Sequence, residues 1–252
     1  MNIHATMGRL RQTLSARLKP GAPTIEPFEG YQLWAAGYDD TDGNALLFTE
    51  ERYVRAWFDA EKLQNKDLLD AGCGTGRYLR ALQDFHPRSI AIMDFSPNML
   101  EKAINKIDGS VPVYSHIARV EDPPFKDASF DFILSTLVLD HTENMKAAVH
   151  HLSLLLRQGG TMIISCFHPF GHLLGWQRTF RGKDGVVAVK YHRHLHAEYL
   201  DAFLANGLRL TRIEEPIIDE SVKHFYDKAG RADIYCRFKG YPMLLIMEVQ
   251  HP

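Results

Sequence analysis

The segment Leu68-Leu69-Asp70-Ala71-Gly72-Cys73-Gly74-Thr75-Gly76-Arg77-Tyr78 constrains this chain more than any other. A short apolar stretch of strand length runs into three glycines spaced by single residues, and a helix-compatible stretch follows. Glycines at that spacing let a backbone turn tightly and approach a ligand closely. A strand–loop–helix unit of this kind opens at the C-terminal edge of a parallel sheet.

The flanking chain repeats the same alternation. Apolar periodicity predicts strands over 67–71, 89–94, 111–116, 130–135 and 161–166, and helices over 50–63, 77–85, 97–107 and 145–156. Pro97 stands at a helix start, and Gly159-Gly160 follow a helix end. Over 171–189 the pattern breaks: Gly175, Gly182 and Gly185 separate short apolar pieces, as in a hairpin. A helix over 196–205 and strands over 208–213 and 243–249 close the chain. The expected fold is α/β, a Rossmann-like, doubly wound, mostly parallel sheet with an antiparallel last strand. An N-terminal helical lid and a small insertion after the fifth strand complete it. Residues 1–27 read as an arm, with a basic helix over 7–18 ended by Pro20, Gly21, Pro23 and Pro27. Residues 28–252 read as one domain, with 171–195 a substrate-side insertion.

Charge narrows the partners. Lys and Arg number 29 against 31 Asp and Glu, a net charge of −2, which argues against a binder of duplex nucleic acid, since that normally needs a basic face. No apolar run reaches the ~18 residues of a spanning helix, and the N-terminus has no apolar signal core. The three cysteines are sparse and lack metal-ligand spacing, as expected of reduced thiols in a cytoplasmic protein. A small-molecule substrate fits this composition, and a homodimer is left open.

The glycine loop selects among ligands. A dinucleotide fingerprint would place its third glycine at position 77, where Arg77 stands. Asp70, at the strand end, would repel a pyrophosphate and suit an ammonium group, such as that of the methionine half of S-adenosylmethionine. Asp94, some 20 residues past the loop, is placed to accept bonds from ribose hydroxyls. Asp94 alone fits a nicotinamide cofactor as well; together with Asp70 and Arg77 it favours S-adenosylmethionine. An oxidoreductase is thereby disfavoured. A protein that binds this donor without turning it over stays open as the alternative.

The runs Asp70–Gly76, Asp94–Met99 and Pro124–Asp131 resemble the motifs of class I S-adenosylmethionine-dependent methyltransferases. The resemblance covers about Tyr31 to Val249, and is nearest to the ubiquinone/menaquinone C-methylase-like group, methyltransferase type 11. It implies that Gly72, Cys73, Gly74, Thr75 and Gly76 wrap the methionine part, with Asp70 beside them. Asp94 would then bind the ribose, and Phe95 and Met99 would flank the adenine, with Ser96 in the same site. Arg119 stands where the family often carries an Asp that bonds the adenine amino group, and a guanidinium cannot accept a hydrogen bond. Glu121 or the backbone would have to serve instead, with the Val120 amide against the ring. Ser135, at a strand end, and Tyr38, in the aromatic entry segment with Tyr31 and Trp34, join the cofactor set. That entry segment would act as a lid hinged at Gly30, Gly37 and Gly43.

Methyl transfer asks for in-line positioning, a dry pocket and a base where the nucleophile carries a proton. Asp140, His141 and His168 are the catalytic candidates, because each follows a strand whose end lies at the glycine-loop edge. No metal is expected. A related metal-binding pattern, Glu-x-x-Glu-His, aligns its first Glu with Leu137, and His192, His194 and His196 alternate with no acid or Cys beside them. Phe167, Phe170, Trp176 and Phe180 around the insertion favour an aromatic or quinol-like acceptor, with carbon, oxygen and nitrogen all open as the methylated atom.

Overall fold

In a computed structural model of the chain, the residues described are 22–39, 44–183 and 185–252. The expected basic helix over 7–18 lies outside them.

In chain order, β1 (Thr24–Ile25) leads into helix α1 (Pro27–Trp34), and helices α2 (Ala45–Arg55) and α3 (Ala60–Leu63) precede the main sheet. Asn44 and Asp59 cap α2 and α3 by accepting from the backbone of Leu47 and Lys62. The single helix expected over 50–63 is thus two, because Asp59 starts a new one four residues after α2 ends. Next come β2 (Asp67–Ala71), α4 (Leu79–Gln83), β3 (Ser89–Asp94), α5 (Pro97–Ile104), β4 (Val113–Ile117), β5 (Phe130–Thr136), α6 (Met145–Leu155) and β6 (Leu156–Phe167). The insertion supplies α7 (Pro169–Leu173) and the hairpin β7 (Arg178–Gly182) and β8 (Gly185–Val189). The chain then forms α8 (His196–Ala205), β9 (Arg209–Glu214), α9 (Lys223–Lys228), α10 (Ala232–Phe238) and β10 (Leu244–Gln250).

The main sheet has seven strands in the order β4-β3-β2-β5-β6-β10-β9. The five strands from β4 to β6 pair in parallel, whereas β10 runs antiparallel to both β6 and β9. Successive side chains of each strand face opposite ways, so both faces are buried. Leu68, Ile90, Phe132 and Ile163 pack on one side with α2, α4 and α5. Leu69, Ala91, Ile133 and Ile164 pack on the other with α6 and α8. From β2 the chain steps outward to β3 and β4, then returns to the far side of β2 as β5. That reversal opens a crevice at the strand ends, where open α/β sheets hold ligands.

The expected hairpin, β7 with β8, is part of a second sheet, β1-β8-β7, whose third strand was not expected. β1 pairs in parallel with β8, Thr24 opposite Ala188 and Ile25 opposite Val189. Residues 24–27, read from sequence as part of the arm, therefore belong to the fold. Helix α1 lies on this sheet, and Tyr31, Trp34, Ala35, Met99, Phe180 and Val189 form a third apolar cluster. A Cβ on Gly30 would come within 2.9 Å of Val189 Cγ2, so this glycine secures close packing and is not a hinge. Gly37 has open space around it, and Gly43 lies outside the described residues. Among the described residues no helix is long and apolar enough to cross a membrane.

Candidate active site

At the end of β2 the glycine loop takes left-handed backbone angles at Gly72, Gly74 and Gly76, with φ of +80°, +55° and +72°. The three differ in what surrounds them. A Cβ on Gly72 would sit 2.3 Å from Val138 Cγ2, and one on Gly76 would sit 2.9 Å from Ala103 Cβ. Those two glycines let the loop press against the β5 exit and against α5. Gly74 has nothing within 4 Å of its Cβ position and opens into the crevice.

Asp94, ending β3, braces this loop. Its Oδ2 accepts from the Gly74 amide at 2.8 Å and its Oδ1 from the Ser96 amide at 2.8 Å. Burial pushes its carboxyl up to about 6, and these two amides oppose the rise. Asp70 is buried more harshly: neither carboxylate oxygen has a hydrogen-bond partner, and burial pushes it up to about 7 against the opposing charge of Arg77. Arg77, the residue that replaces the third dinucleotide glycine, turns away into the core. Its Nη2 meets Glu50 Oε2 at 2.5 Å, and the same carboxylate accepts from Tyr78 Oη at 2.6 Å and Ser165 Oγ at 2.7 Å.

The crevice is lined by Gly72, Gly74 and Asp94 on the loop side, and by Phe95, Arg119, Val120 and Glu121 along one wall. The Arg119 guanidinium lies 5.5 Å from the Phe95 ring centre and 3.6 Å from Glu121. The opposite wall is Thr136, Leu137, Val138, His141 and Thr142, and the roof is Tyr31 and Tyr38 from the N-terminal segment. Gln32 fastens that roof, since its side-chain oxygen accepts from Ser96 Oγ and the Asn98 amide. Asp39 fastens its far end to Thr75 Oγ1 at 2.5 Å and Lys106 Nζ at 2.8 Å.

His141 has a defined tautomer. Its Nδ1 lies 2.9 Å from the Lys190 carbonyl, which can only accept, so Nδ1 carries the proton. Its Nε2 lone pair then accepts from the Tyr31 hydroxyl at 2.7 Å. Burial and the Arg178 charge push the imidazole down to about 3, so it is neutral at ordinary pH.

Residues 69–164 match the family described as methyltransferase domain. The S-adenosylmethionine-dependent methyltransferase of Mesorhizobium loti superposes with a TM-score of 0.62 at 19% identity, covering 82% of this chain and 98% of that one. Magnesium protoporphyrin IX methyltransferase from Synechocystis PCC 6803, solved with bound SAH, gives a TM-score of 0.62 at 19% identity over 89% of this chain and 94% of that one. At such identity the likeness is one of fold. Among curated sequences, the malonyl-[acyl-carrier protein] O-methyltransferase of Hahella chejuensis is 30% identical over 146 residues, 57% of this chain and 51% of that protein. The chain spans about half the length of the curated relatives it matches.

Of the expected residues, Tyr38, Gly72, Gly74, Asp94, Phe95, Arg119, Val120 and His141 line one crevice. Asp70, Cys73, Thr75, Gly76, Ser96 and Met99 are not on its wall and stand behind it; Ser96, for one, caps α5 through the Met99 amide. Ser135 is fully buried off the crevice wall, and Thr136 to Val138 line it instead. The strand side chains alternate in direction, and Leu137, at φ +55°, turns the chain across the opening. Asp140 is also behind the wall: its Oδ2 accepts from the Phe167 amide at 2.6 Å, tying the exits of β5 and β6 together, and burial pushes it up to about 7.

His168 does not join His141. Its Nδ1 accepts from the Phe170 amide as the cap of α7, which leaves Nε2 to donate to Glu215 at 3.1 Å. His196 meets the same Glu215 oxygen at 2.6 Å. An acid does therefore stand beside the expected histidine row, supplied by the chain after β9. The three side chains bring ligand atoms within 4.8 Å of one another. A metal there would need a lone pair on His168 Nε2, and the Phe170 amide fixes the opposite tautomer. The sequence reading missed the Tyr31–His141 contact and also Arg178. The only signal for Arg178 was its place two residues before Phe180 on the same strand face.

Proposed function

We propose that this chain is an enzyme that transfers the methyl group of S-adenosylmethionine to a small molecule. The observation that carries it is the loop edge of the crevice. A left-handed Gly74 stands open to the ligand, Asp94 is fixed by two backbone amides, and Asp70 is buried with both oxygens unpaired. A buried carboxylate without partners is costly unless a cation arrives. S-adenosylmethionine supplies both that ammonium and an activated methyl group when bound.

The chain's own residues then divide the work. Asp70 balances the ammonium, and Gly74 with Thr75 lets the backbone close on the methionine part. Asp94 holds the ribose with the lone pairs its two amide bonds leave free. Phe95 and the Arg119 guanidinium make the walls of the adenine slot. Glu121, beside Arg119 in the crevice, accepts from the adenine amino group in place of the usual acid. Tyr31 and Tyr38 cover the methyl end and exclude water. His141 acts through Tyr31: its Nε2 takes the phenol proton, which turns the lone pairs of Tyr31 Oη to the crevice, where they can accept from a protonated acceptor atom.

The crevice as it stands is a cavity of about 70 Å³, small beside the ~300–1,000 Å³ of ligand pockets, so the roof has to lift for the donor to enter. Isotopically labelled donor incubated with the protein and a metabolite extract tests the reading. Labelled products identified by mass spectrometry are expected. Donor binding in calorimetry with no labelled product from any extract would overturn it.

A further inference from the structure

We propose that the acceptor enters through a second cavity beside the donor crevice, and that it is an apolar or aromatic carboxylic acid whose carboxylate pairs with Arg178. This rests on the methyltransferase reading above and gives it a substrate class. The cavity, about 410 Å³, lies across Trp34 from the donor crevice. Its walls come from β6, the insertion and the two helices α9 and α10: Phe167, Trp176, Phe225, Tyr226 and Phe238 are the main surfaces. Trp34 stacks on Phe180 and meets Tyr38 edge-on at 5.0 Å, so one layer of aromatic rings separates the two spaces.

Arg178 stands in that layer. It is 5% exposed, its guanidinium lies 5.5 Å from the Trp34 ring centre, and its Nη2 has no hydrogen-bond partner. No carboxylate of the described residues forms an ion pair with it; Tyr31, through charge and a side-chain hydrogen bond, and Tyr38 and Asp140, through charge, are the groups that act on it, and Nη2 is left over. A buried guanidinium with an unused donor is costly in an apolar pocket and is relieved by an anion. A carboxylate matches its fork geometry. The apolar rings then select what the carboxylate is attached to. Trp34, Tyr31 and Tyr38 place such an acid next to the roof of the donor crevice.

Two of the three tryptophans, Trp34 and Trp176, line the cavity, so binding reads out directly in fluorescence. The test titrates the full chain, with S-adenosylhomocysteine present, against aryl, indolyl and straight-chain carboxylic acids and the primary amide of each. The wild-type protein should bind at least one acid about 10- to 100-fold more tightly than its amide, the range that charge-assisted hydrogen bonds supply. Arg178→Gln should abolish that preference, and Arg178→Lys should retain part of it. Ala229→Trp, at the exposed rim of the cavity, should weaken acids and amides alike. Equal affinity for acids and amides across the whole panel in the wild type overturns the proposal, whatever Arg178→Gln does to folding. Undiminished acid binding in Ala229→Trp overturns it too. Donor binding is measured separately by calorimetry. Its absence would sink the methyltransferase reading, whereas intact donor binding without acid preference sinks only the assignment of Arg178.

Discussion

Replacing Asp70 by asparagine should stabilise the free protein and weaken its hold on the donor, and the first effect should depend on pH. Burial raises the Asp70 carboxyl from 3.8 to about 7 in the folded chain. The folded protein therefore keeps its proton where the unfolded chain has lost it, and stability falls as pH rises between those two values. Over that interval, about 1.4 kcal/mol per pH unit accumulates to about 4 kcal/mol by pH 8. The asparagine amide, itself without partners, returns ~1–3 kcal/mol of that. The net gain at pH 8 is then roughly 1–3 kcal/mol, or roughly 3–10 °C in melting temperature for a chain of this size. Near pH 4.5 wild-type Asp70 is protonated when folded, and the advantage should vanish or reverse. Thermal melts of both proteins without ligand at the two pH values measure this. A difference that does not change with pH, or an asparagine variant less stable at pH 8, would refute the view of Asp70 as a buried charge that Arg77 only partly balances. Calorimetry on the same samples should show donor affinity reduced at least ~10-fold, the loss of one charged hydrogen-bonding partner.

Asp94→Ala should weaken donor binding by roughly 10- to 100-fold, from ~1.5–3 kcal/mol of charge-assisted hydrogen bonding; unchanged affinity in a folded variant would take Asp94 out of the site. Gly72→Ala should lower stability by ~1–3 kcal/mol, because its Cβ meets Val138 at 2.3 Å and its φ is +80°. Adding Val138→Ala should recover the steric part and leave the strain, a result read from denaturant melts. Tyr31→Phe should reduce kcat by roughly 10- to 100-fold with donor affinity unchanged; full activity would show that the hydroxyl held by His141 is idle.

The main sheet was legible because its signals are local. An apolar run, a glycine loop and an acid at the next strand end each occupy fewer than about ten residues, and each has one physical reading. The lining of the crevice by Asp94, Phe95 and Arg119 followed from those positions. What lay hidden depends on partners far apart in the chain. Glu50 has the composition of a surface helix residue, yet it is fully buried, because Arg77, Tyr78 and Ser165 converge on it. Glu215 meets His168 and His196 only once β9 is placed in the sheet. Helices α9 and α10, of six and seven residues, are too short for their periodicity to stand out. They went unread, and with them the cavity whose wall they form. Ser135 was displaced from the crevice for a smaller reason: a two-residue period turns a one-residue error into the opposite face.

The parallel pairing of β1 with β8 sets an order of assembly. Thr24 meets Ala188, 164 positions later in the sequence. At ~5–20 residues per second of synthesis, the first strand waits on the order of 10 s for its partner. The seven-stranded sheet shares no strand with this pairing, so the roof is expected to dock last during folding and to come away first under stress, an order that hydrogen exchange would read. On the function proposed above, the most weakly committed segment is the door to the methyl donor.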